Sequence, residues 1–397
     1  MKKALFVALL VLPLTTTAQQ KAPIAQYWMS VETAAGMSIP GMAGMGGFMA
    51  GMMGAGQQSS GRKIGLQIGS QRNADAPAAA HEIPSGMNMG PSLPLLTPTT
   101  RPVEVVRERR DRWESPDRPK GRMLIYWGCG ESVRAGQPVV IDFSTVGQGQ
   151  MPAGFTSRAI ATGSPPGGRT TGTWPNQQDS QSIPDAASLR GAHTIRGNYS
   201  PDMRFSLGDD FMEQVSLQQT ARGAGASVSW NALGNATGYF ATVMGGDGND
   251  MVMWSSSEVR EMGGTLMDYI PPGEVSRLIR EKVVLSPQTT ECTVPDEVMK
   301  RAGGSAMFNF IAYGPEANFA QPPRPQDPQW AVKVRFKSTA STLLGDAGQS
   351  RGSRSASPGR TPASAPDEQG QQAQQEPASP ASPVREGINI LRGIFGR

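Results

Sequence analysis

Two cysteines and two histidines are all that the 397 residues contain. That scarcity excludes much chemistry. A zinc centre needs three or four Cys, His or carboxylate ligands, and a Ser-His-Asp triad needs a histidine beside its serine. His81 and His193 lie in different regions of the chain. No paired-cysteine motif, nucleophile elbow or phosphate-binding glycine loop accompanies them. Charge is scarce as well: 18% of residues are charged and the net charge is +4, dispersed along the chain. That is too mild a basic balance for a nucleic-acid partner. Hydrophobic residues reach only 38% and aromatic residues 6%, so part of the chain lacks the apolar surface needed to order itself. The apolar run at 4–14 is too short to span a membrane.

Glycine (48) and proline (33) are abundant instead. The N terminus has the layout of an export signal. Lys2 and Lys3 supply the basic start, 4–14 the apolar stretch, and Thr16, Thr17 and Ala18 a cleavage site. A mature chain beginning at Gln19, outside the cytoplasm, is expected. In an oxidising compartment the even cysteine count favours a Cys129–Cys292 disulfide. Each cysteine also sits in an apolar strand context, where it serves equally as a small buried hydrophobe. Cys129 with a distant histidine is a third reading, as a thiol nucleophile. Adjacent Asp209 and Asp210 point to opposite faces of an extended chain and do not converge on one substrate. Asn198 and Asn235 head short sequon-like triplets, common by chance and given no weight.

Period-two alternation, bounded by Gly, Asn and Pro, predicts a mainly β protein. Strands are expected at 27–33, 63–69, 122–128, 138–143, 193–196 and 203–207. A denser set follows at 227–230, 238–244, 251–254, 289–294, 307–313 and 330–336. Pro271 and Pro272, with Val275, Leu278 and Ile279 behind them, predict an amphipathic helix over 273–281. The segments 76–104 and 147–188 read as irregular, and 107–122 as a charged connector.

In the last strand set, Val228-Ser229-Trp230 precedes Ala236-Thr237-Gly238-Tyr239. Cys292-Thr293-Val294-Pro295 and Phe310-Ile311-Ala312-Tyr313-Gly314 follow. This order resembles a fibronectin type III domain. The resemblance implies an immunoglobulin-like β-sandwich, with the helix as an insertion, and implies no activity. The expected organisation is a signal peptide (1–18), a β-hairpin region with a Gly/Met-rich loop (19–75) and a Pro-rich, charged connector (76–120). A second β-rich region (121–210), the sandwich (211–340), a disordered linker (341–383) and an amphipathic helix (384–397) complete it.

Three stretches are candidate sites. The uncharged loop at 34–56 carries Met42, Met45, Met49 and Met52, thioethers of the kind that select Cu(I). Asp247 and Asp250 stand in a Gly/Asp run that resembles one copy of a calcium β-roll repeat, a motif that needs stacked copies. In the tail, Ile388, Leu391 and Phe395 form an apolar stripe beside Arg392, suited to an acidic membrane surface or a partner groove. The signal, the 126–130 strand and the sandwich together resemble an exported bacterial protein. The expected function is a non-enzymatic cell-envelope protein, a binding or scaffolding module, in the periplasm or on the outer surface. Its partner would be an envelope protein, a polymer or the membrane, and no cofactor is expected. The alternatives are a hydrolase of envelope polymers, which needs a carboxylate cluster in a concave pocket, and a periplasmic Cu(I)-binding protein.

Overall fold

The computed structural model describes residues 22–36, 60–98, 121–145, 158–222, 225–248, 250–323 and 326–345. Among these, 47% are strand and 9% helical, so the protein is mainly β. In chain order the strands are β1 (Ala25–Gly36), β2 (Gly61–Ser70), β3 (Ala79–Glu82), β4 (Ser92–Pro94), β5 (Arg122–Trp127), β6 (Val139–Asp142), β7 (Thr170–Trp174) and β8 (Gly191–Gly197). They continue with β9 (Met203–Leu207), β10 (Leu217–Arg222), β11 (Gly225–Trp230), β12 (Gly238–Asp247), β13 (Asp250–Ser255), β14 (Glu291–Val294), β15 (Ser305–Gln321) and β16 (Trp330–Gly345). Helix α1 (Pro272–Arg280) lies between β13 and β14, and α2 (Asp296–Arg301) follows β14.

One sheet organises the molecule. Its order is β6-β5-β13-β12-β15-β16-β1-β2-β7. The strands β13, β12, β15 and β16 lie side by side in that order, each antiparallel to the next. Both flanks are built from earlier chain. β1 runs parallel to β16 over its whole length, from Ala25 opposite Trp330 to Gly36 opposite Ser341. β5 runs parallel to β13. Parallel neighbours need long crossovers rather than hairpins, which is why residues far apart in sequence share this sheet.

Two small sheets roof one face of the large one. The three-stranded roof is β10-β11-β14 and the four-stranded roof is β4-β3-β8-β9. A single apolar core lies beneath both. It joins Val228, Trp230 and Val294 of the first roof, Leu93, Ile195 and Phe205 of the second, and Tyr27, Tyr239 and Phe310 of the large sheet. Trp230, Tyr239 and Phe310 meet with ring centroids 4.6 to 5.7 Å apart, an arrangement that adds about 1 kcal/mol per pair to the area buried. Gly314 sits where β15 bulges between Tyr313 and Glu316. A Cβ there would lie 2.8 Å from the backbone oxygen of Phe336, which cannot step aside as a side chain could, so glycine is required.

The opposite face carries α1. Val275 and Leu278 of the helix are buried against Phe240, Ile311 and Tyr313. Proline at the start, Glu274 in the first turn and Arg277 and Arg280 in the last suit the helix dipole.

Several expectations need correction. The connector at 76–120 contains β3 and β4, and Met87, Met89, Leu93 and Leu95 there are core residues. The loop expected at 147–188 contains β7. Residues 341–345, expected to belong to a disordered linker, are the end of β16, and the rest of that segment lies outside the described residues. The polar end of β16 is a strand because β1 and β15 pair with it on both sides. α1 begins and ends one residue earlier than the pattern suggested.

Candidate functional site

The only two histidines of the chain meet in the core. His81 comes from β3 and His193 from β8, adjacent strands of the four-stranded roof. His193 Nε2 lies 2.7 Å from the Leu189 carbonyl oxygen. A carbonyl only accepts, so Nε2 carries the proton and the neutral ring offers Nδ1 as acceptor. His81 Nε2 then donates to His193 Nδ1 at 2.9 Å. That leaves His81 Nδ1 to accept from the Tyr27 hydroxyl, also at 2.9 Å. The result is a one-way chain from β1 of the large sheet into the roof.

Every imidazole nitrogen is thereby used. Burial holds His81 well below the usual imidazole range, and the neighbouring His193 pushes the same way. Burial likewise lowers His193, opposed by its bond to the Leu189 carbonyl. Burial also raises the Tyr27 phenol well above its ordinary value. His193 stacks on Phe205 at 4.9 Å. Two neutral histidines without a free nitrogen offer no general base and no metal ligand. The sequence hid this pair because β3 lies in a Pro-rich stretch and carries little alternation.

Cys129, Cys292 and Asp250 are similarly engaged. Cys129 and Cys292 form a disulfide with Cα atoms 5.2 Å apart, which removes Cys129 as a nucleophile. It ties the segment after β5 to β14, from the large sheet to the three-stranded roof. Asp250 faces Arg122 through both carboxylate oxygens, at 2.9 and 2.5 Å, so it is held by a guanidinium. Among the described residues no group of three or more His, Cys, Asp or Glu is placed to hold a metal. Asp210 accepts from Ser188 Oγ, Leu189 N and Phe211 N. Burial raises its carboxyl, but these bonds and Arg190 outweigh burial and bring it below the usual range. Asp210 fixes Leu189, the last acceptor of the histidine chain. Met42, Met45, Met49, Met52, Ile388, Leu391, Arg392 and Phe395 lie outside the described residues.

Three carboxylates that do cluster are each ion-paired. Arg158 bonds Glu261 at 2.7 Å and Glu281 at 2.6 Å. Arg277 bonds Glu274 and Glu281, each at 2.5 Å. On the same face, Arg335 of β16 is sandwiched between Trp28 at 4.5 Å and Tyr269 at 4.4 Å. Lys337, one step along the row, lies 4.4 Å from the Tyr269 ring and within 3.7 Å of Glu32 and 3.5 Å of Asp268. A cleft of about 240 Å³, part of it open solvent, adjoins Tyr269, Arg335 and Glu316. Little of that space is enclosed, too little to hold a drug-sized ligand.

What the fold gathers is chain ends. β1 leaves the large sheet at Gly36 and β2 enters it at Gly61, opposite Ala34. Ser341 pairs with Gly36, and β16 ends four residues on at Gly345. β5 enters at Arg122, opposite both Asp250 and Asp142. The register therefore places the start and finish of 37–59, the finish of 99–120, the start of 146–157 and the start of 346–397 at one end of one sheet. No family model, curated protein or solved structure matches the chain.

Proposed function

We propose that this protein is an exported, non-enzymatic cell-envelope protein, a scaffold whose rigid β core holds attachment segments at one end. The observation that carries this reading is that the strand ends leading into and out of 37–59, out of 99–120, into 146–157 and into 346–397 all lie at one end of the nine-stranded sheet. The basic, apolar tail at 384–397 is the segment suited to an acidic membrane surface. The engaged state of the histidines and of the Arg158–Glu261–Glu281 cluster favours a non-catalytic role. The disulfide suits an oxidising compartment.

Residues 217–345 are read as a fibronectin type III-like sandwich. Strand order supports this. The first, second and fifth of its seven strands form one layer, and the third, fourth, sixth and seventh the other. In the immunoglobulin constant type the fourth strand joins the first layer instead. The earlier strands then extend such a sandwich at both edges.

The test uses the mature chain and a version ending at Gly345, each mixed with vesicles of phosphatidylglycerol or of phosphatidylcholine. The full chain should co-sediment with the anionic vesicles, release at high salt, and lose binding on truncation. Equal recovery of both versions from both vesicle types would overturn the attachment reading.

A further inference from the structure

We propose that the outer face of β5, β13 and β12 is a thioether site for a soft monovalent cation, Cu(I) or Ag(I). This site is separate from the scaffold reading and from the loop at 37–59. It rests on register. Met123 of β5 is paired with Met251 of β13. Two residues along β13, Met253 is paired with Met244 of β12. Met244 is paired in turn with Met307 of β15. Partners in register share a face of the sheet. This is the face turned away from the two roofs, because the alternate residues Leu124, Val252, Trp254 and Val243 lie in the core beneath them.

Met123, Met244, Met251 and Met253, with Met262 from the following loop, belong to one side-chain cluster of ten residues, half of them methionine. Register partners have Cβ atoms about 5 Å apart, and residues two apart on one strand lie about 7 Å apart. Methionine has three rotatable bonds beyond its Cα, so neighbouring sulfurs at these separations can turn toward one ion. Met251 and Met262 are half-buried while Met123 is fully buried, which gives the cluster a way in and a dry floor.

Elimination among the soft donors points the same way. Both cysteine sulfurs are spent in the disulfide. All four imidazole nitrogens are spent in the hydrogen-bonded chain, in the core on the other side of the sheet. Thioethers select Cu(I) over harder ions. They carry no proton at any working pH, so binding should not compete with protons as it does at histidine or thiolate sites.

The experiment titrates the unreduced mature protein with Ag(I), read by native mass spectrometry, and with Cu(I) against a chromophoric chelator under argon. Three forms are compared: wild type, a deletion of 37–54, and Met123→Leu/Met251→Leu/Met253→Leu. The deletion should retain one ion, and the triple variant should bind one fewer than wild type. Affinity in the deletion should be unchanged between about pH 5 and 8. Leucine preserves apolar volume, so the triple variant should keep its fold. A deletion form that binds no ion, or a triple variant with the wild-type count, overturns the proposal. Peroxide footprinting of wild type covers the case of a misfolded variant. Ag(I) should slow sulfoxide formation at Met251 and Met262 several-fold, and unchanged rates there also overturn it.

Discussion

The two roofs perform the same task by different chemistry. The three-stranded roof is fixed to the large sheet by a covalent bond, Cys129–Cys292, and by apolar contact of Trp230 with Tyr239 and Phe310. The four-stranded roof has no such bond. It is fixed by a buried polar chain, Tyr27 to His81 to His193, and by Phe205 stacked between His193 and Phe319. A disulfide acts mainly on the unfolded state and is indifferent to mild acid. A chain of neutral imidazoles is indifferent to reductant but depends on protonation. One sheet thus carries one roof whose attachment should answer to reductant and another whose attachment should answer to acid.

The sharpest way to break this comparison is to remove the disulfide. It closes a separation of 163 residues, for which chain-entropy reasoning gives about 5 kcal/mol. Cys129→Ser/Cys292→Ser should lower the unfolding free energy by about 2–5 kcal/mol in urea. Amide-exchange protection should fall at 226–230 and 291–294 and persist at 193–197. Loss at both places alike would show that the roofs are not separable.

The second test strikes the polar chain. His81→Leu leaves the Tyr27 hydroxyl without an acceptor and His193 Nδ1 without a donor, both buried. Each orphaned group costs about 1–3 kcal/mol, so a loss of about 2–6 kcal/mol is expected. Tyr27→Phe removes one bond and should cost less. The reversed order, with Tyr27→Phe the worse, would contradict the central place of His81 in the chain.

Acid titration tests the four-stranded roof alone. Both histidines are held below their ordinary value by burial. As pH falls below about 6.5 the unfolded chain takes up protons that the folded chain refuses. Stability therefore falls with falling pH, by up to about 1.4 kcal/mol per pH unit for each histidine, until pH passes through the folded values. Carboxylates add their own acid dependence, so the informative quantity is the difference between wild type and His81→Leu/His193→Leu. The double variant should show the shallower slope from pH 6.5 to 5. Parallel slopes would mean that the pair does not sense protons.

The comparison also shows what was legible in the sequence. β11, β12 and β15 were readable because Trp230, Tyr239 and Phe310 stand in alternating runs between turn residues. β10 was missed because Leu217–Arg222 is an edge strand, polar in sequence. β3, β4 and β7 were missed for a related reason. Each is three to five residues long and embedded among Pro and Gly, so period-two alternation has no room to show. Parallel neighbours such as β1 and β16 leave no local trace, since nothing in either stretch names its partner. The histidine chain was illegible for both reasons together. The methionines of β5 and β13 were visible as apolar strand residues, but only register placed them side by side.

The smallest expected effect serves as the control for the other three. Arg335 lies on neither roof's side of the sheet, between Trp28 and Tyr269, with its Nε donating to Ser30 Oγ at 2.8 Å. A planar guanidinium can stack on two rings at once, whereas an ammonium is a point charge that favours one. Arg335→Lys keeps the charge, so it tests stacking and the Ser30 bond alone. A cation–π contact is worth about 0.5–1 kcal/mol at a half-exposed site, and one ring remains available, so the loss should be about 1 kcal/mol. Because the change acts on the sheet that both roofs share, it should lower global stability without altering the difference in protection between 226–230 and 193–197. A selective loss at either segment would mean that the outer face is coupled to that roof through the sheet, and the two roofs would then not be independent.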